Sequence, residues 1–114
     1  CYNYWMNLTK VTSHFSEILE NSESNPVIIF KHSNNCGASS DTSEMINKGL
    51  EQEKIKYPVY IVTVQNMPVL SKKIEDYFNI KHETPQVILL NKGRIEYVAN
   101  HRDIKIENII SLLP

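Results

Sequence analysis

Two cysteines, Cys1 and Cys36, are the sulfur nucleophiles of this chain, and the surroundings of Cys36 are those of a reactive thiol. It follows the apolar run Val27-Ile28-Ile29-Phe30 across a short polar stretch, and a segment with helical spacing opens directly after it, at Gly37. Unpaired N–H groups and the helix dipole at such a start favour thiolate over thiol, taking a cysteine pKa from about 8.5 to anywhere between roughly 3.5 and 7.5. The alternative is an inert buried cysteine packed as a small hydrophobe. Polar Asn34-Asn35 before Cys36 and Gly37-Ala38 after it argue against deep burial.

Cys36-Gly37-Ala38-Ser39 is a Cys-x-x-Ser pattern, with serine one helical turn on, where a dithiol enzyme has its second cysteine. Monothiol chemistry follows. Cys36 can accept a group from a mixed disulfide, and a thiol from solution or Cys1 must then displace it. The Ser39 hydroxyl either bonds the thiolate or bonds backbone as an ordinary first-turn serine; both stay open. Lys31 and His32 could supply positive charge to the thiolate or to an acidic low-molecular-weight thiol, although strand-end lysines are more often simply solvated. His14, His82 and His101 stand at no metal-ligand spacing from Cys36, so no metal site and no tightly bound cofactor are expected.

A sheet end and a helix start are needed to hold these residues. Ser13 can cap a helix through about Asn21, with Phe15, Ile18 and Leu19 on one face. Val27 to Phe30 reads as a strand buried on both faces. The helix from Gly37 carries Ala38, Met45, Ile46 and Leu50 and ends near Gly49. Tyr57 to Val64 is a second strand, and Pro68 opens a helix bearing Val69, Leu70, Ile74, Tyr77 and Phe78. Gln86 to Leu90 and Arg94 to Ala99 form a hairpin about Asn91-Lys92-Gly93. A last helix from about Lys105 packs Ile106, Ile109, Ile110, Leu112 and Leu113, and a short strand around Tyr4 to Leu8 would add an edge. This order predicts an α/β, thioredoxin-like fold, a mixed four- to five-stranded sheet with helices on both faces. In that arrangement Thr84-Pro85 is the place of a cis-proline beside the active cysteine, leaving a backbone edge for substrate; a trans proline at a strand start is the ordinary alternative.

At 114 residues the chain is expected to be one domain, 1–114. Hydrophobic residues at 41%, with 3 Gly and 5 Pro, exclude disordered and low-complexity classes. Lys+Arg at 12 against Asp+Glu at 13, with no block of like charge, make nucleic acid or a membrane surface unexpected partners. A pair of cysteines is too few for a disulfide framework and fits a reducing, cytoplasmic compartment. No apolar stretch approaches the roughly 20 residues that cross a bilayer. Cys1 could be the lipidated residue of a bacterial lipoprotein; a domain boundary is the preferred reading, because the tether from Tyr2 to Met6 is short.

Taken together, Lys31-His32-Ser33-x-x-Cys36, Ser39-Ser40, Lys81 through Leu89, Asn91-Lys92-Gly93 and His101 through Ile104 resemble the monothiol bacilliredoxins of the bacillithiol system, the YtxJ-like family. The likeness runs from Trp5 to the last helix. Asn35 and Gly37 stand where that family usually has Thr and often Pro, and Arg102 where a Trp commonly follows the late His. The resemblance implies a bacterial, cytoplasmic thiol-disulfide oxidoreductase with Cys36 and Ser39 catalytic. It further implies that Lys31, His32, Gly37, Thr84 and Pro85 meet substrate, that bacillithiol is the co-substrate, and that bacillithiolated proteins are the partners. One alternative is a monothiol glutaredoxin-like protein using glutathione or an iron-sulfur cluster, since Cys36-Gly37-Ala38-Ser39 is similar to Cys-Gly-Phe-Ser; the lack of a Gly-Gly pair after the hairpin counts against it. Another is a redox-inactive thioredoxin-like adaptor that binds a partner along the Pro85 edge.

Overall fold

A computed structural model describes residues 8–114. Cys1, and all but Leu8 of the edge strand expected over Tyr4 to Leu8, lie outside the described residues; the strand found at that edge is β1 (Thr9–Lys10). There follow α1 (Phe15–Ser24), β2 (Val27–His32), α2 (Gly37–Glu51), β3 (Val59–Thr63), α3 (Pro68–Phe78), β4 (Gln86–Asn91) and β5 (Arg94–Asn100). A 3-10 turn at His101–Asp103 leads into α4 (Ile106–Leu112). The sheet is five-stranded in the order β1-β3-β2-β4-β5. Both β1 and β2 run parallel to β3, while β4 is antiparallel to β2 and to β5. The fold is thioredoxin-like.

Central β2 is buried from Val27 through Lys31, as a strand covered on both faces must be. Alternation divides its side chains. Val27 and Ile29 join Phe15, Ile18, Leu70 and Ile74 beneath α1 and α3, whereas Ile28 and Phe30 join Ile46, Leu50 and Ile109 beneath α2 and α4. Pro68 occupies the first turn of α3, where its missing N–H costs nothing. In the hairpin, Lys92 and Gly93 have φ of 54° and 73°, the left-handed pair that a tight primed turn requires. Their N–H groups donate to Ser22 O (2.7 Å) and Ser22 Oγ (3.0 Å), which ties the turn to α1.

Some expectations are corrected. Helix α1 begins one residue later than a Ser13 cap would place it: His14 holds the cap position, Glu17 N–H donates to its carbonyl at 3.1 Å, and Thr12 Oγ1 accepts His14 N–H at 3.1 Å. Helix α2 does not stop at Gly49 but runs through it to Glu51. A Cβ on Gly49 would lie 2.9 Å from Ile55 Cδ1 and 3.0 Å from Ile106 Cδ1, so this glycine serves a close approach rather than a helix end. Val69, Tyr77 and Leu112, expected on packed faces, are exposed. Among the described residues no helix is long and apolar enough to cross a membrane.

The strand directions fix where chemistry can gather. The C-terminal ends of β2 and β3, the N-terminal end of β4 and the C-terminal end of β5 share one end of the sheet, and α2 starts there.

Candidate active site

Cys36 is half-buried and caps α2 with extended backbone, φ −124° and ψ 120°. That conformation places Cys36 at the N-terminal end of a 15-residue helix, whose first N–H groups carry partial positive charge. The Ser39 N–H is the main influence holding the Cys36 thiol below its ordinary pKa; partial desolvation opposes it, and the Ala38 N–H and Ser39 hydroxyl add to the lowering. Neither Lys31 nor His32 takes part.

Ser39 is fully buried, and its hydroxyl oxygen accepts Ser33 N–H at 3.2 Å. An oxygen can accept one bond while its proton serves another acceptor. Of the two readings of Ser39, the backbone partner is the one with a hydrogen bond among the described residues, and its hydroxyl proton is left free to act on the thiol, where it is the smallest of the lowering influences.

The loop between β2 and Cys36 is fastened by a residue that carries no sequence signal. Gln65, just past β3, donates from Nε2 to Ser33 Oγ at 2.8 Å and accepts Asn34 N–H on Oε1 at 3.1 Å. Asn35 N–H also reaches Ser33 Oγ, at 3.3 Å, and Cys36 N–H reaches Ser33 O at 3.4 Å.

Lys31 is not solvated, which corrects the expectation of a solvated strand-end lysine. It is 0% exposed on the α3 side of the sheet, opposite α2, and its Nζ donates to Ser71 O at 3.3 Å. Burial pushes its pKa down, with the Glu75 carboxylate acting against that. Glu75 in turn accepts His82 N–H at 2.8 Å, a bond that holds its own pKa below the usual carboxylate range. His32 faces the other way, its ring 5.4 Å from that of Phe30, beside a groove along α2 lined by Ser40, Ser43, Glu44 and Asn47. Its Nδ1 is buried without a hydrogen-bond partner among the described residues. Gly37 is exposed, and a Cβ there would meet nothing within 4 Å, so the surface next to the thiol is open.

The Thr84–Pro85 peptide bond is cis, with Pro85 buried and Thr84 half-buried. Extending the Lys31↔Gln86 register by one residue sets Pro85 opposite His32, at the same sheet end as Cys36. The segment is held on several sides. Pro85 O accepts His101 N–H at 2.9 Å, and Gln86 Nε2 donates to Lys81 O (3.0 Å) and Asn100 Oδ1 (2.9 Å). Glu83 Oε1 pairs with His101 Nε2 at 2.8 Å, which keeps the Glu83 carboxyl ionised below its ordinary range, and Lys81 Nζ lies 3.4 Å from Glu83 Oε2. Gln65 and the Glu83–His101 pair were not singled out as site residues from sequence.

Comparison with known proteins follows the same line. The family described as monothiol bacilliredoxin BrxC matches residues 7–109. Among solved structures, a protein with a thioredoxin fold, provisionally described as an oxidoreductase, is 27% identical, with a TM-score of 0.81 over 95% of this chain and 96% of that one. Thioredoxin O2 of Arabidopsis thaliana, in its oxidised state, is 16% identical, with a TM-score of 0.70 over 94% of this chain and 92% of that one. The N21Q thioredoxin of Halobacterium salinarum NRC-1 is 12% identical, with a TM-score of 0.69 over 92% and 87%. The latter two likenesses speak for the fold.

Proposed function

Because the chain belongs to the monothiol bacilliredoxin family, whose thiol redox chemistry suits the site around Cys36, we propose that it removes bacillithiol from protein mixed disulfides. The Cys36 thiolate attacks the bacillithiol sulfur of the mixed disulfide. A Cys36–bacillithiol disulfide forms, the original S–S bond breaks, and the electron pair leaves on the protein sulfur, which takes a proton from water. A second thiol, as thiolate, then attacks the bacillithiol sulfur; bacillithiol leaves in a new disulfide and Cys36 returns as thiolate. Ser39 supports this by donating to the sulfur without being able to displace the adduct. Gly37 leaves room for an incoming disulfide, and Thr84 and Pro85 border the same sheet end. The reaction suits a reducing bacterial cytoplasm.

The observation that carries the reading is a half-exposed cysteine at the start of a 15-residue helix, its thiol held below the ordinary pKa chiefly by the Ser39 N–H, with serine in place of a resolving thiol. Intact mass after timed exposure to oxidised bacillithiol or oxidised glutathione tests it. A single adduct on Cys36 that forms faster with bacillithiol is expected. Equal rates overturn the choice of bacillithiol, and no adduct with either overturns the redox reading.

A further inference from the structure

Once a thiol is joined to Cys36, the rest of that molecule must lie on the neighbouring surface, and the structure offers a cleft there. It measures about 260 Å³ and lies between the first turns of α2 and the 3-10 turn, with Ala38, Asp41, Thr42, Met45, Arg102 and Ile104 among its walls. Ala38 is two residues from Cys36. Buried Thr42 and Ile104 and half-buried Met45 make the floor, while Asp41 and Arg102 are exposed at the sides.

The charges distinguish this cleft from its neighbours. Beside α3, a cavity of about 280 Å³ has its charges already engaged: Lys72 sits 3.4 Å from Glu75 and 2.9 Å from Asp76, and Glu75 also accepts His82 N–H. In the groove along α2, Lys48 and Glu44 are 3.6 Å apart, which leaves Glu51 as a carboxylate with no free lysine or arginine on the same walls. Asp41 and Arg102 face one cleft with opposite charge, yet among the described residues neither has an ion-pair partner within 4.0 Å. His101, on the same wall, is turned to Glu83 at 2.8 Å, so Arg102 is the cation left to this cleft.

We infer that this cleft holds the non-sulfur part of the low-molecular-weight thiol carried by Cys36, a molecule with an ammonium group near its sulfur and a carboxylate further out. The inference rests on the thiol-transfer reading of Cys36. Asp41 is five residues along α2, about 7.5 Å down the helix axis, within the span of a cysteine-sized group disulfide-bonded at the helix start. Its carboxylate takes the ammonium. Arg102, across the cleft, takes the carboxylate through its planar fork of donors, a pairing that suits guanidinium better than a lysine ammonium.

Stopped-flow rates of disulfide exchange at Cys36 test the assignment on the full chain. The probes are hydroxyethyl disulfide (neutral), cystamine (ammonium only) and dithiodipropionate (carboxylate only), each rate being read as a ratio to the neutral one. Arg102→Met should lower the dithiodipropionate ratio about five-fold, the factor that ~1 kcal/mol of exposed ion pairing represents, and more salt should erase the difference. Asp41→Asn should lower the cystamine ratio by a similar factor, and Arg102→Glu should invert the preference between the charged probes. Ratios unchanged in all three variants, with the neutral probe still reacting, overturn the cleft assignment alone. Failure of the neutral probe to react with the unmodified protein overturns the thiol-transfer reading beneath it.

Discussion

Replacing Ser39 with alanine removes one oxygen that serves two partners, and the structure separates the two losses. Ser33 N–H donates to Ser39 Oγ at 3.2 Å, with Ser33 9% and Ser39 0% exposed, so water has little access to the vacated acceptor position. A buried donor left without its acceptor costs ~1–3 kcal/mol, and the loop retains its Gln65 bonds, so the lower half of that range is expected. A urea melt should then show a loss of ~1–2 kcal/mol with an unchanged slope. At the thiol, the Ser39 hydroxyl is lost while the Ser39 N–H, the larger influence, and the Ala38 N–H remain. The Cys36 pKa should rise and still stay below that of a free thiol. Thiolate ultraviolet absorbance against pH reads this directly. Unchanged stability would refute the Ser33–Ser39 bond, an unchanged pKa would refute the influence of the hydroxyl on the thiol, and a fully ordinary pKa would refute the dominance of the backbone donors.

Gln65→Ala removes bonds of 2.8 and 3.1 Å from an exposed side chain and should cost ~1 kcal/mol, with faster amide exchange at Asn34; unaltered exchange there would contradict the clamp. Burial lowers the Lys31 pKa, so between the folded value and the ordinary value of about 10.4 the unfolded chain binds the extra proton and stability rises with pH. Lys31→Met should abolish that alkaline rise and match or exceed the unmodified stability at neutral pH; melts across pH that keep the rise would show that Lys31 is not its source. Ser39→Cys puts a thiol at a fully buried position one turn from Cys36 and should let the protein expel bound thiol by closing an internal disulfide; a persistent mixed disulfide by mass would contradict the packing of Ser39 against Cys36.

Much of the fold was legible because local rules and tertiary packing agree here. The apolar run of β2, Pro68 at a helix start and the Asn91-Lys92-Gly93 turn each have one conformation that suits both levels. Gly49 misled because its lack of a side chain serves Ile55 and Ile106, which no helix-end rule anticipates. Ser13 misled because Thr12 and His14 settle the start of α1 between them. The placement of Cys36 before α2 and of Ser39 in its first turn was readable from the strand, loop and helix pattern around them. Lys31 was not, since its burial depends on Ser71, 40 residues away, and Gln65 looks like any exposed glutamine until its bonds to the loop 31 and 32 residues upstream are seen.

The proposed function stands or falls on whether Cys36 itself takes the small thiol from a protein mixed disulfide. Single-turnover mixing with a bacillithiolated protein, followed by intact mass of both chains, measures this. The expected result is loss of bacillithiol from the substrate protein with an equal gain of one bacillithiol on Cys36, and no transfer by the Cys36→Ser protein. Release of the substrate thiol by Cys36→Ser, or without an adduct on Cys36, would contradict it.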